Sequence, residues 1–325
     1  MTEGVDRISA SISFCILTCN NVNILNDCLD SIFSTVNDYS YEIIIVDSSN
    51  TSETSDLIKN KFSSVHYIRN DKFYGFSSGN NQAFVKSSGK YICILNDDTI
   101  LKNYCIDLLI KELENDNSIG AIGPKLLNRD GSLQVSSFNS FPGLFSEIIT
   151  TSILIGFLRE KFSIFFRTSR YINNYGEVNL IIDRLVYVKH LMGACILMPA
   201  NLFEKLDGFD ENFYLSMEDQ DLCRRVLDNN RKVVYFPHAE LTHLGGQTVS
   251  KLKGAFNKIY LESKLYFFKK YHPYFYSIIY IIVTFISATN VFVLIPLIAL
   301  KKRDSLVLSH FRYEWYKLKF LLIRS

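Results

Sequence analysis

Carboxylates and amides gather directly after the apolar runs of this sequence. Thr18-Cys19-Asn20 follows Ile12–Leu17, Asp47-Ser48-Ser49-Asn50 follows the run Glu42–Val46, and Asn96-Asp97-Asp98 follows Tyr91–Leu95. Asp97 and Asp98 supply hard oxygen ligands that suit Mg²⁺ or Mn²⁺, and such an ion would bridge phosphate oxygens. The same residue types also start turns and cap helices, so the local pattern leaves both roles open. A second acidic group, Glu218, Asp219 and Asp221, heads a helical stretch. There it can serve the helix dipole or take a proton from an attacking hydroxyl. His243, followed by Gly245-Gly246, reads either as a ligand beside a close backbone approach to phosphate or as a satisfied polar residue.

Such groups need a scaffold that brings them to one edge. Ile12–Leu17, Glu42–Val46, Val65–Arg69, Tyr91–Leu95 and Ile119–Ile122 read as strands. Helical spacing recurs between them, in Ile24–Val36, Gly79–Ser87 and Ile106–Leu113. Alternating strands and helices imply parallel pairing with right-handed crossovers, hence an open, mostly parallel α/β sheet with flanking helices. Ligands bind such sheets at the carboxyl ends of the strands, where the polar clusters stand. Further along, Leu144–Leu158 is too short an apolar stretch to span a bilayer and reads as a buried or interfacial helix. Leu191–Met198 is periodic, Pro199 suits a helix start, 218–229 reads as a helix and Lys232–Phe236 as a strand.

Composition bounds the partners. Hydrophobic residues are 48% and charged residues 21% of 325, which supports a large core and excludes wholesale disorder. A net charge of +2 argues against a nucleic-acid binder. Seven cysteines without metal-type spacing, most of them inside apolar runs, point to free thiols in a reducing compartment. The first eleven residues hold no apolar stretch long enough for a signal peptide. From Tyr276 to Leu300 no charge appears, while Lys269 and Lys270 precede the run and Lys301, Lys302 and Arg303 follow it. As a helix this run could cross a bilayer, but basic residues on both flanks favour docking in the plane of the cytoplasmic membrane face.

In order and spacing, Thr18-Cys-Asn-Asn21, Val46-Asp-Ser-Ser-Asn50, Asn70…Gly75-Phe76…Gly79-Asn80, Asn96-Asp-Asp-Thr99, Gly193-Ala194, Gly208-Phe-Asp-Glu211 with Glu218-Asp-Gln-Asp-Leu222, and His243 resemble glycosyltransferase family 2. The resemblance covers about residues 10–250 and is close to the rhamnosyltransferase-like branch of surface-polysaccharide enzymes. It implies a GT-A-like fold over 1–250, with a nucleotide-sugar half at 10–125 and an acceptor half at 126–250, followed by a membrane-associated helical tail at 251–325. It also implies a nucleotide-diphospho-sugar donor, a saccharide or lipid-linked saccharide acceptor, and a divalent cation, Mg²⁺ or Mn²⁺. Carried over residue by residue, Thr18, Asn20 and Asp47 would hold the nucleoside and Asn80 the donor sugar or diphosphate. Asp98 and His243 would bind the metal with Asn96 or Asp97 in support. Asp219 would be the base of an inverting transfer, supported by Glu218.

Three departures bear on base and sugar selectivity: Cys19, the pair Ser48-Ser49, and Asp97 where many relatives carry proline. No GxGxxG follows the first strand, which argues against a dinucleotide oxidoreductase, and no glycine stands in Thr18–Val22, which argues against a sugar nucleotidyltransferase. The single tryptophan, Trp315, follows Glu314, so the QxxRW motif of processive synthases is absent and one or a few sugars per acceptor are expected. The alternative is a degenerate relative serving as a membrane scaffold. Joint presence of Asp98, Asp219 and His243 speaks against it.

Overall fold

The structure, a computed structural model, describes residues 11–143, 184–245 and 255–294, together with 314, 315, 317–319 and 322. The expected helix at Leu144–Leu158, the end of the apolar run at 295–300 and Gly246 lie outside the described residues. The chain divides into two units, residues 1–139 with 177–252, and residues 140–176 with 253–325.

The first unit is built on a mixed sheet. Strands β1 (Ile12–Thr18), β2 (Tyr41–Asp47), β3 (His66–Arg69) and β4 (Tyr91–Asn96) form a parallel block in the order β3-β2-β1-β4. The order continues through β11 (Cys195–Pro199), β6 (Ile119–Leu127), β12 (Lys232–His243) and β5 (Thr99–Leu101). The short strands β7 (Leu133–Gln134) and β9 (Val186–Tyr187) pair with β6 and β12, while β8 (Ser137–Phe138) and β10 (His190–Leu191) pair with each other. Strand β11 runs antiparallel to both β4 and β6, which breaks the all-parallel pattern at the centre of the sheet. An apolar run buried on both faces carries no direction in its residue types, so Leu191–Met198 could not announce this reversal.

Alternation along the strands sorts the core into two layers. Ile12, Phe14 and Ile16 of β1, with Ile43 and Ile45 of β2, meet Leu25, Leu29 and Ile32 of α1 (Val22–Thr35). Ile58 of α2 (Glu53–Lys61) and Leu109 of α4 (Cys105–Asn115) join the same layer. Cys15, Ile44, Ile92 and Ile94 face the other way, toward Phe84 of α3 (Phe76–Val85), Phe203 of α5 (Ala200–Lys205) and Leu222 of α6 (Glu218–Asp228). Each such side chain, fully buried, contributes about 1.5–3 kcal/mol. None of the seven cysteines is in a disulfide, and burial pushes the Cys28 thiol up to about 12, so it acts as a small hydrophobe.

Helix α3 starts at Phe76, three residues before the expected Gly79. Gly75 precedes it at φ 103°, where an added Cβ would lie 2.5 Å from the Tyr214 carbonyl oxygen. The backbone turns there because glycine alone tolerates both the angle and the approach.

The second unit contains α7 (Ala255–Tyr271) and α8 (Tyr276–Thr289), the latter running into a π-helical turn at Asn290–Leu294. Among the described residues no helix is long and apolar enough to cross a membrane.

Candidate active site

Register brings the polar strand ends level. Thr18 pairs opposite Asp47, and Leu17 opposite Asn96. Thr18 donates its hydroxyl to Asp97 Oδ2 at 2.7 Å, and the Asn21 amide donates to the same oxygen at 3.1 Å. Asn21 stands at the N-cap of α1, yet its side chain caps nothing there and ties the helix start to the acidic loop. Asp97 is thus a buried acceptor that holds two segments together. Asn20, at φ 55°, accepts the Asn50 N–H at 2.8 Å and locks the loops after β1 and β2 to each other.

Asp47 has no exposed surface. Its carboxylate accepts the Ser49 N–H at 2.8 Å, the Tyr67 hydroxyl at 2.6 Å and Arg69 Nη1 at 3.0 Å. Tyr67 and Arg69 did not stand out in the sequence, because β3 is weakly apolar and only the strand pairing sets them beside Asp47. Asn80 is buried in α3, with its amide N–H on the Phe76 carbonyl at 3.0 Å and its Oδ1 without a hydrogen-bond partner among the described residues.

On the far side of Asp97, His243 Nε2 lies 3.2 Å from Asp98 Oδ1 and 3.5 Å from the Asn96 amide nitrogen. Antiparallel pairing of His243 with Thr99 puts the end of β12 across from the acidic loop, and the Leu244 N–H donates to the Asp98 carbonyl at 2.8 Å. Among the described residues no group of three or more His, Cys, Asp and Glu side chains is gathered as a metal site. One carboxylate and one imidazole are a partial set of N and O donors that leaves positions for phosphate oxygens and water, which fits Mn²⁺ or Mg²⁺ bound together with a diphosphate.

Asp219 arrives from a different element. The Gly193 N–H donates to its Oδ2 at 3.0 Å and the Gln220 N–H to its Oδ1 at 2.7 Å. Gly193 directly precedes Ala194, whose carbonyl accepts the Asn96 N–H at 3.0 Å. The reversed strand β11 therefore carries Asp219 to the carboxyl end of β4. Burial raises the Asp219 carboxyl above the ordinary aspartate range, and the two backbone N–H bonds pull it part of the way back. Ser216 and Met217, both at positive φ (75° and 74°), precede the helix. Two consecutive non-glycine residues there store strain of the kind found at functional sites.

Residues 13–171 match the model of Glycosyl transferase family 2. Over that stretch the chain is similar to glycosyltransferase family 2. Over 212 residues it is 23% identical to N-acetylglucosaminyl-diphospho-decaprenol L-rhamnosyltransferase of Mycobacterium tuberculosis H37Rv, covering 62% of this chain and 66% of that one. Over 215 residues it is 26% identical to rhamnosyltransferase WbbL of Escherichia coli K12, covering 63% and 74%. The chain spans less than two thirds of most curated relatives that it matches, from 17% to 66% of their lengths. The mannosyltransferase PcManGT from Pyrobaculum calidifontis, solved with GDP-Man and Mn²⁺, superposes with a TM-score of 0.56 at 14% identity, over 98% of this chain and 88% of that one. The fold is GT-A-like.

Within this GT-A-like fold, residues beside the motif positions clamp loops. Asn81, next to Asn80, donates to the Phe209 carbonyl and to Glu211 at 2.9 Å each and accepts the Phe209 N–H at 2.8 Å. Ser77 donates to the Phe213 carbonyl at 2.6 Å. The start of α3 is thereby fastened to the Gly208–Tyr214 segment that leads into α6. Arg225 pairs with buried Asp221 at 2.8 Å and donates to the carbonyls of Leu206 and Gly208, which gives Asp221 a structural task.

Glu218 is buried with Oε2 unpartnered among the described residues, and burial, then the Asp219 charge, push its carboxyl well above the usual range. A raised folded-state value means that its stabilising contribution is full below the unfolded carboxyl range and is lost as pH rises through the folded value. Glu218→Gln should therefore match wild type in Tm near pH 4 and exceed it near pH 8 by about 2–4 °C, the shift expected for about 1 kcal/mol in a domain of this size. A pH series of melting curves checks both ends.

Proposed function

We propose that this chain transfers a sugar, rhamnose by preference, from a nucleotide-diphospho-sugar to a saccharide or lipid-linked saccharide during surface-polysaccharide assembly, with inversion at the anomeric carbon. The observation that carries the reading is the Asp219 carboxylate, held by the Gly193 N–H beside the strand end that bears Asp98. A proton acceptor of raised pKa and an acidic, imidazole-flanked corner meet at one sheet edge. The rhamnose preference rests on the names of the mycobacterial and Escherichia coli relatives.

In this reading Asp219 takes the proton of the acceptor hydroxyl as it attacks. A single displacement by that hydroxyl inverts the sugar, the same geometric logic as in inverting hydrolysis. Asp98 and His243 would hold the divalent cation, which when bound would supply charge stabilisation to the leaving diphosphate. Asp97 keeps the acidic loop in register through Thr18 and Asn21. A donor screen tests this: release of nucleoside diphosphate from a panel of nucleotide sugars, with Mn²⁺, with Mg²⁺ and with chelator. Metal-dependent release from a rhamnosyl donor is expected. Failure with every donor and acceptor would favour the scaffold reading.

Membrane attachment through the second unit is part of the proposal. Helix α8 exposes Ile278, Ile281 and Phe285 and buries Ser287, and Asn290 in the following turn is also buried. Exposed apolar side chains along one helix suit an interfacial position, and Lys269 and Lys270 at the end of α7 suit anionic headgroups of the cytoplasmic face. Full-length protein should float with anionic vesicles, and Ile281→Glu with Phe285→Glu should release it. A wild-type protein that stays in the soluble fraction overturns the attachment.

A further inference from the structure

One hydrogen-bonded chain leads away from His243 and ends at the surface. His243 Nδ1 lies 2.6 Å from Gln134 Oε1, and Gln134 Nε2 donates to Asn128 Oδ1 at 3.0 Å. Asn128 Nδ2 donates to Ser132 Oγ at 3.0 Å, and Ser132 Oγ donates to Asp130 Oδ1 at 2.5 Å. Gln134 lies in β7, and the other three belong to the hairpin that joins β6 to β7. The Asn128 N–H donates to the Ser132 carbonyl at 2.7 Å and closes that hairpin.

Every proton direction in this chain can be counted. The Asp130 carboxylate only accepts, and the Ser132 bonds hold its carboxyl below the usual range, so it is ionised. Ser132 spends its single O–H on Asp130 and must accept from its other neighbour. That neighbour is therefore the Asn128 NH₂, which leaves the Asn128 oxygen facing the Gln134 NH₂. The Gln134 oxygen in turn faces the ring, and only a protonated Nδ1 can satisfy it. A neutral imidazole carries one ring proton, so Nε2 keeps its lone pair.

This outcome has a competitor. Asp98 Oδ1, 3.2 Å from Nε2, would also accept the ring proton, and the Nε2–H tautomer would close the pair on itself. Gln134 offers the shorter bond from the opposite side of the ring. We propose that Gln134 is a positioning residue, aimed by the Asn128–Ser132–Asp130 hairpin, that fixes the His243 ring proton on Nδ1 and so presents Nε2 as a donor toward a divalent cation. The inference rests on the reading of Asp98 and His243 as the metal-side pair. Outer partners of this kind orient metal-binding histidines, and their loss costs about 10–100-fold in metal affinity.

The test uses full-length protein with ¹⁵N-labelled histidine rings at pH 8, with MnCl₂ alone as the probe. Long-range ¹H–¹⁵N spectra should show His243 as the Nδ1–H tautomer in wild type. Gln134→Met should shift the population toward Nε2–H and require about 10–100-fold more Mn²⁺ for the same paramagnetic broadening of the His243 ring signals. Gln134→Glu, which still accepts from Nδ1, should restore both. An Nε2–H or doubly protonated His243 in wild type overturns the inference without any variant. So does a Gln134→Met protein with wild-type tautomer and Mn²⁺ response. Nδ1–H with no Mn²⁺ broadening in wild type supports the hairpin's hold on the ring and overturns the metal reading, which keeps the two failures apart.

Discussion

Asp219→Asn should keep the donor affinity and the melting temperature near wild type while sugar transfer falls by about 10²–10⁴-fold, the usual contribution of general-base catalysis. The amide retains the size of the side chain and one acceptor oxygen for the N–H groups of Gly193 and Gln220. It also removes a carboxylate whose ionisation burial opposes. The lost bond and the relieved charge act in opposite directions on stability. Asn is as good as Asp at a helix start, so a purely structural role predicts a nearly silent change. Near-normal transfer would therefore move the base elsewhere, with Glu218 next in line. The pH profile supplies a second reading. The base must be ionised, so wild-type transfer should fall on the acid side around a value above the ordinary aspartate figure of about 3.9. Because Glu218 and Asp219 interact, that limb belongs to the pair.

Asp98→Ala should abolish metal-dependent donor binding, by more than about 100-fold, since even outer-shell losses reach that range. The fold should survive. The backbone bond from Leu244 N–H to the Asp98 carbonyl does not involve the side chain, and Asp97 retains its bonds from Thr18 and Asn21. Calorimetry of nucleotide-sugar binding with Mn²⁺ and with chelator measures the effect. Chelator should bring wild type down to the level of the variant. Equal affinity of the two proteins with Mn²⁺ present would remove Asp98 from the metal site.

Much of the parallel half of the molecule was legible in the residues. Glu42–Val46 and Tyr91–Leu95 became β2 and β4 within one residue at each end, because uninterrupted β-branched and apolar runs of that length bury on both faces of a sheet. Asp221 and Arg225 stand at i, i+4 spacing in the sequence, and the structure shows the ion pair. The start of α3 was less legible, since Gly75 sets it through a close approach to Tyr214, a residue 139 positions away.

By itself the sequence determined which residue types stand at the strand ends: Thr18, Asp47, Asn96, Asp97 and Asp98 each follow an apolar run, and a strand can only deliver such residues to its own edge. It could not assign tasks among them. Tertiary structure decided that Asp97 Oδ2 is held by Thr18 and Asn21 while Asp98 turns to His243, and that Asp47 is enclosed by Tyr67 and Arg69. It also decided the arrival of Asp219, through the reversal of β11 and the N–H of Gly193. The physical reason is the same in each case. Residue type sets what a side chain can donate, accept or bury. Which partner satisfies it depends on pairing between segments far apart in the chain, and neighbouring carboxylates become different groups only once those partners are in place.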